Sequence, residues 1–253
     1  MIYGVFLKNN SILLIGSSGS LGSNILKNNY FRNCIKPSSK VLNLKKKSSI
    51  IKFISKNNFK TIIHCAALSS MEECQKNPTE AINTNIIGTQ NLVEVIKKQK
   101  KKINLIFISS DGVYPPNKGN NSEEDQLNPY NIYCLTKLCG ENIVKTLDKF
   151  VIIRTRFFDK NKLKFNSYAT DIYTSSIEVT KLVDYIEKII KKKFYGIINI
   201  GEKKDSNYNK IKKFNDKIIP CKYKDLIKNL NYVIAKDSSM NLKKMKKFFN
   251  SND

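Results

Sequence analysis

The sequence predicts an α/β fold, a doubly wound parallel sheet followed by a smaller and less regular C-terminal part. Three observations carry this. Short apolar runs without polar alternation, as expected of strands buried on both faces, alternate with helical patterns from Ser11 to Ile200. A glycine-rich turn stands between the first such run and the first helix. Beyond about residue 200 the rhythm gives way to short lysine-rich segments. Strands that alternate with helices over this length build a parallel sheet with crossover helices on its faces.

Taken in order, Ser11–Ile15 is a short apolar strand and Leu21–Asn29 the helix after the turn. Val41–Leu44 is expected as a weak second strand, and Ser48–Lys56 as a helix with Ile50, Ile51, Phe53 and Ile54 irregularly spaced. Thr61–Ala67 reads as a buried strand. Pro78–Lys98 is a long helix, with Ala81, Ile82, Ile86, Leu92, Val93 and Ile96 at helical spacing. Ile103–Ser109 is the next buried strand, and a polar loop follows over Pro115–Pro129. Tyr130–Thr146 is helical and Val151–Thr155 a strand. Ser176–Lys192 is an amphipathic helix that ends in lysines, as the helix dipole favours, and Phe194–Ile200 is the last buried strand.

At 253 residues the chain can bury one sizeable core or one core with an appendage, and an apolar fraction of 41% excludes global disorder. The longest apolar runs, such as Ile12–Ile15 and Ile103–Ile108, are too short to cross a bilayer, so no membrane partner is expected. The N-terminus shows no secretory pattern, and a cytoplasmic protein is expected. Forty-five basic residues against 21 acidic ones give a net charge of +24, which would suit nucleic acid. Only Arg32, Arg154 and Arg156 are arginines, however, whereas phosphate and guanine are read bidentately by arginine. Lysine, asparagine and isoleucine all have AT-rich codons, so most of the charge is read as solvated surface with no nucleic-acid partner. The six cysteines form no CxxC pair, and with His64 the single histidine no metal site is expected. Cys65, in an apolar run, is read as a small buried hydrophobe.

Gly16, Gly19 and Gly22 lie between the first strand and the first helix in the string Gly16-Ser-Ser-Gly19-Ser20-Leu21-Gly22. Glycines here permit a tight turn and close approach of the backbone to a pyrophosphate, which points to a dinucleotide. An acid that would hold the ribose hydroxyls is missing, since Arg32–Lys47 contains no Asp or Glu and several lysines. That composition leans towards NADP over NAD. Further on, Ser109-Ser110-Asp111 ends a strand, and Tyr133 and Lys137 share one helical face at i and i+4. An ammonium beside a phenol lowers its pKa, which suits Tyr133 as a general acid in carbonyl reduction.

With these strings the chain resembles extended short-chain dehydrogenase/reductases, the NAD-dependent epimerase/dehydratase superfamily, and within it the dTDP-4-dehydrorhamnose reductases. GSSGSLG at 16–22, IIHCAALSSMEECQKNP at 62–78, NTNIIGTQNL at 83–92, SSDGVY at 109–114, NPYNIYCLTKLCGE at 128–141 and VIIRTRFF at 151–158 carry the resemblance. It covers roughly residues 11–158 and continues, more weakly, through 171–200. It implies a Rossmann-like domain over 1–156 and 173–201, with a reduced C-terminal substrate lobe from 157–172 and 202–253. The implied activity is NAD(P)H-dependent reduction of a nucleotide-linked 4-keto-6-deoxy sugar. Alternatives are a nucleotide-sugar epimerase or dehydratase, or a non-catalytic NAD(P)-binding regulatory subunit.

By the same resemblance Ser110, Tyr133 and Lys137 are catalytic, and Lys137 also holds the nicotinamide ribose. Gly16, Gly19, Ser20, Leu21 and Gly22 line the pyrophosphate. Ala67, Leu68 and Ser69 border the cofactor, and Asn43 and Leu44 lie by the adenine. Asp111 and Phe157 contact the substrate beside Ser110, Asn85 sits in a helix backing the site, and His64 is structural. Cys134 stands where these enzymes often have glycine, and Ala235–Leu242 weakly resembles the segment that closes the site. A homodimer packed through helices next to Tyr133 is implied as well.

Overall fold

The computed structural model describes residues 11–100, 102–163 and 165–250. The N-terminal stretch in which no secretory pattern was found lies outside them. The chain opens with strand β1 (Ile12–Ile15) and helix α1 (Ser20–Ile25), followed by α2 (Lys47–Lys56) and β2 (Thr61–His64). Next come α3 (Met71–Lys76), α4 (Pro78–Ala81), α5 (Gly88–Lys97), β3 (Asn104–Ile108), α6 (Ile132–Val144) and β4 (Phe150–Thr155). Short strands β5 (Phe157–Phe158), β6 (Ser167–Ala169), β7 (Tyr173–Thr174) and β8 (Ile177–Glu178) lead into α7 (Val179–Lys191) and β9 (Gly196–Ile200). The chain continues through β10 (Asp205–Ser206), α8 (Asn207–Lys212), β11 (Ile219–Cys221), α9 (Tyr223–Ile227) and α10 (Lys243–Asn250).

Five strands form one parallel sheet in the order β1-β2-β3-β4-β9. Alternate side chains go to opposite faces. Ile12, Leu14, Ile63, Ile106 and Ile153 meet Leu21 and Ile25 of α1, Val183 and Ile186 of α7 and Met245 of α10. On the other face Leu13, Ile15, Ile62, Leu105 and Phe107 meet Ile50 and Ile54 of α2, Leu92 and Ile96 of α5 and Val144 of α6. The doubly wound parallel sheet expected from sequence is therefore present.

The second strand is not where the sequence placed it. Residues 41–44 form a turn, with the amides of Val41 and Leu42 donating to the Ser38 carbonyl at 3.0 and 2.9 Å. The sheet is extended beyond β1 by Ile35 alone, whose amide donates to Ile12 O and whose carbonyl accepts from Leu14 N, both at 2.8 Å. Pro37 has no N–H to donate, so the ladder cannot run on in register past this single residue. The chain thus leaves β1 on one side and returns to β2 on the other, which creates a topological switch point at the C-terminal ends of these two strands.

Two further departures lie near that point. The expected long helix 78–98 is α4 and α5 joined by a π-helical turn over Ile82–Ile87, and α3 precedes it. The Ser70 hydroxyl caps α3 by accepting from Glu73 N at 3.2 Å, the first half of a Ser-x-x-Glu capping box. Past β4 the small strands pair as β5–β8, β6–β11 and β7–β10. Although the sequence grouped 202–253 as one lobe, α10 packs on the main sheet. Phe249 meets Tyr185 of α7 with ring centroids 4.7 Å apart, and Phe248 meets Phe194 at 4.9 Å. Among the described residues no helix is long and apolar enough to cross a membrane, and no His/Cys/Asp/Glu group could hold a metal ion.

Candidate active site

At the switch point Gly16 has φ +90°, and a Cβ there would come within 2.5 Å of Ala66 N. A Cβ on Gly22 would stand 2.1 Å from the Gly16 carbonyl oxygen. These two positions therefore admit only glycine. Gly19, the residue before α1, has only an ordinary contact at 3.5 Å.

A cavity of about 560 Å³ opens over this turn. One wall comprises Gly16, Gly19–Gly22, Cys65, Ala67 and Ser69, and the other includes Ser110, Asp111, Tyr133, Lys137, Thr155 and Arg156. Phe157 and Phe158 line it from the lobe side. Sequence reasoning thus named residues that converge from five separate parts of the chain. Three do not reach the cavity wall. Leu68 is tied back to Asn85, which accepts from Leu68 N at 2.8 Å and donates to Leu68 O at 3.0 Å. Asn43 and Leu44 sit on the turn against α5, held by Asn43 N donating to Ser49 Oγ and Asn91 donating to Leu44 O.

The catalytic-type loop hangs from the end of β3. Ser109 points inward and donates to Glu141 Oε1 at 2.6 Å. Ser110 accepts from Gly112 N at 3.0 Å and donates to Asp111 Oδ1 at 3.2 Å. Asp111 is buried, and its Oδ2 accepts from Arg156 Nε and from Ser238 Oγ, each at 2.7 Å. Ser238 belongs to the segment 235–242 that the sequence matched only weakly to a closing element. It does reach the site.

Asn131 caps α6 by accepting from Cys134 N at 2.9 Å, which sets Tyr133 and Lys137 into the cavity from the first turns of the helix. Asn85 of the π-helical turn also donates to Thr136 Oγ1 at 3.0 Å, and Thr136 in turn donates to the Tyr133 carbonyl at 2.8 Å. The Lys137 Nζ sits 4.0 Å from the Phe107 ring centroid. Burial lowers its pKa to about 8 against the opposing pull of Glu141 and Cys65.

The electrostatics of Tyr133 differ from the sequence expectation. Its pKa is raised, chiefly by burial and further by Cys134 and Asp111, with Arg156 opposing. A phenol held protonated in this way can give a proton but does not persist as a phenolate. His64, buried beneath, is lowered to about 3 by burial and by Lys137. Its Nε2 lies 3.1 Å from Thr89 Oγ1, a structural contact. Burial pushes the Cys65 thiol up to about 12, in keeping with an inert hydrophobe.

The glycine cradle, where a Cβ would fill the space beside backbone N–H groups, fits the pyrophosphate of a dinucleotide, and Lys137 fits a ribose. Sequence reasoning missed α3, whose Ser70–Glu73 spacing was the available signal, and gave Arg156 no role. Nothing local to Arg156 announces its pairing with a carboxylate 45 positions away.

The family profile of the RmlD substrate binding domain matches residues 10–182. A crystal structure of dTDP-4-dehydrorhamnose reductase from Bacillus anthracis in complex with NADP superposes with a TM-score of 0.84 at 22% identity, covering 94% of this chain and 92% of that one. A hypothetical dTDP-4-dehydrorhamnose reductase from Sulfolobus tokodaii gives 0.80 at 26% identity, covering 96% and 95%. Among curated proteins, the bifunctional UDP-glucose 4-epimerase and UDP-xylose 4-epimerase 1 of Pisum sativum is 35% identical over 121 residues, 46% of this chain. That match spans about a third (34%) of the pea protein's length. With a profile match over more than half its length and the Rossmann-like fold in place, the chain belongs to the RmlD substrate binding domain family, within the extended short-chain epimerases and reductases.

Proposed function

We propose that the protein is an NAD(P)H-dependent reductase of a nucleotide-linked 4-keto-6-deoxy sugar. The observation that carries this reading is the convergence of Ser110, Tyr133 and Lys137 with the glycine turn on one cavity. When bound, the nicotinamide cofactor supplies the hydride. Tyr133, kept protonated by burial, donates its proton to the carbonyl oxygen, and Ser110 hydrogen-bonds the same oxygen. Lys137 holds the nicotinamide ribose. The preference for NADPH is supported by the position of the second strand. Its one residue, Ile35, is followed by Lys36, where an acid would favour NADH. Leu135, Ile82 and Ile87, exposed on the helices around Tyr133, are the apolar side chains a homodimer contact would cover.

Loss of reduced-cofactor absorbance with the dTDP-4-keto-6-deoxy sugar dTDP-4-dehydrorhamnose tests the reading. Wild type should turn over, faster with NADPH, and Tyr133→Phe should lose at least about 100-fold in kcat. Tight NADPH binding without turnover of this sugar would sink the substrate assignment. The epimerase alternative is favoured by one finding, the 35% identity to UDP-sugar 4-epimerases. Interconversion of UDP-glucose and UDP-galactose with no net cofactor oxidation would establish it.

A further inference from the structure

Asp111, which the family pattern assigns to the substrate, already has both oxygens engaged within the protein. Oδ1 accepts from Ser110, and Oδ2 accepts from both Arg156 and Ser238. Its side chain is 1% exposed, against 28% for Arg156. Arg156 gives Nε to Asp111, its guanidinium also meets the buried Tyr130 hydroxyl, and the Nη hydrogens beyond these two contacts face no other acceptor in hydrogen-bonding geometry among the described residues. The guanidinium lines the same cavity as Ser110 and Tyr133. A second polar group on that wall is also unsatisfied. Thr155 Oγ1 is buried without a partner among the described residues, on a residue only 3% exposed. A buried donor or acceptor left unpaired is costly unless a ligand completes it.

We infer that Arg156 is the specificity-determining residue for the substrate, and that its Nη edge donates to the sugar hydroxyl on the ring carbon next to the reacting carbonyl. This rests on the reductase reading above. The carbonyl oxygen must lie at Ser110 and Tyr133, and Arg156 stands one carboxylate away from Ser110 through Asp111. That distance selects the neighbouring ring position and not the diphosphate across the ring. In a 4-keto-6-deoxy sugar the only hydroxyl next to the carbonyl is the one on C3. Charge decides what kind of group binds. The guanidinium is already neutralised by Asp111, so a second carboxylate would face Asp111 and be repelled, whereas a neutral hydroxyl would not. The placement also explains why lysine is absent from this position in a chain with three arginines among 45 basic residues. One planar fork serves Asp111 with one edge and the ligand with the other, which a point charge cannot do.

The test compares wild type, Arg156→Met and the charge-balanced double variant Arg156→Met/Asp111→Asn, which keeps the experiment interpretable if the single variant folds poorly. Each is assayed with dTDP-4-dehydrorhamnose and with its 3-deoxy counterpart, and the Kd for NADPH is measured throughout. Wild type should favour the 3-hydroxy sugar in kcat/KM by about 10-fold or more, and the variants should lose that preference, mainly through KM, with unchanged NADPH affinity. An equal loss on both sugars, a persisting preference, or a weakened Kd for NADPH would overturn the assignment. So would preferential binding of UDP-glucuronate over UDP-glucose by wild type. If wild type binds NADPH yet turns over neither keto sugar, the reductase reading itself falls and this inference with it.

Discussion

Arg154 grips both carboxylate oxygens of Glu141, Nε to Oε1 at 3.0 Å and Nη2 to Oε2 at 2.8 Å, with the two side chains 1% and 0% exposed. The pair ties β4 to α6 directly behind the catalytic loop, because Glu141 also accepts from Ser109. Arg154 Nη1 continues to the Tyr114 hydroxyl at 2.9 Å, which donates to Asn199 of β9 at 2.8 Å. Removing one member of a buried pair leaves a charge without a partner. Glu141→Gln should therefore lower the unfolding free energy by about 3 kcal/mol, and Glu141→Gln/Arg154→Met should recover part of it. Urea denaturation followed by circular dichroism checks both, and an additive double variant would contradict the argument.

Gly112 leaves room for a neighbour. A Cβ there would stand 2.3 Å from Cys134 Sγ and 3.3 Å from Ser110 Oγ. Gly112→Ala should cost about 1–3 kcal/mol through overpacking and disturb Ser110. Cys134→Ala removes the clashing sulfur, so the double variant should regain most of the loss in melting temperature and in activity. Failure of that rescue would mean that the strain lies elsewhere.

The lowered Lys137 pKa, about 8 in the folded protein, gives a signed prediction. Its ordinary value is 10.5, so between about pH 8 and 10.5 the unfolded chain binds more protons, and the contribution of this group to stability rises with pH. Below pH 8 the penalty for burying the charge is fully present. Lys137→Met should accordingly raise the melting temperature at pH 7, with the gain shrinking as the pH approaches 10. Binding should move the other way. NADPH affinity in wild type should weaken as the pH rises through about 8, and that pH dependence should vanish in the variant.

Asn85 links the loop after β2 to the helix that carries Tyr133, through Leu68 and Thr136. Asn85→Ala would leave the half-buried Leu68 amide without its acceptor, while the Leu68 carbonyl keeps Cys74 Sγ as a donor, which should destabilise by about 1 kcal/mol. Because Ala67 and Ser69 flank Leu68 on the cavity wall, NADPH affinity should fall by about 10-fold as well. A calorimetric Kd equal to that of wild type would assign Asn85 a purely structural role.

Much of this was legible locally. The glycine spacing and the Tyr133/Lys137 interval each lie within a few residues, so the sequence states them directly. The buried strands declared themselves as apolar runs. Ile35 did not, because a single-residue strand has no periodicity, and the more apolar Val41–Leu44 drew the assignment instead. The π-helical turn around Asn85 is invisible in a pattern that reads as continuous helix. Long-range partners were beyond reach for a different reason. Asp111 meets Arg156 and Ser238 across 45 and 127 positions, and only the fold brings such residues together. The raised pKa of Tyr133 belongs to the same class, since it is set by burial and the cation that opposes it is Arg156, not the i+4 lysine that the sequence made conspicuous.

The Asp111–Ser238 hydrogen bond also sets an order of assembly. On the ribosome the glycine turn, β1 to β4 and the Tyr133 helix all emerge before Ser238, so the glycine-turn side of the crevice can form while the Asp111 side still lacks its last wall. A chain truncated shortly after residue 200 would carry all five sheet strands yet leave Asp111 with one donor fewer on Oδ2. Completion of this wall therefore waits on a segment made 127 positions after the aspartate it meets.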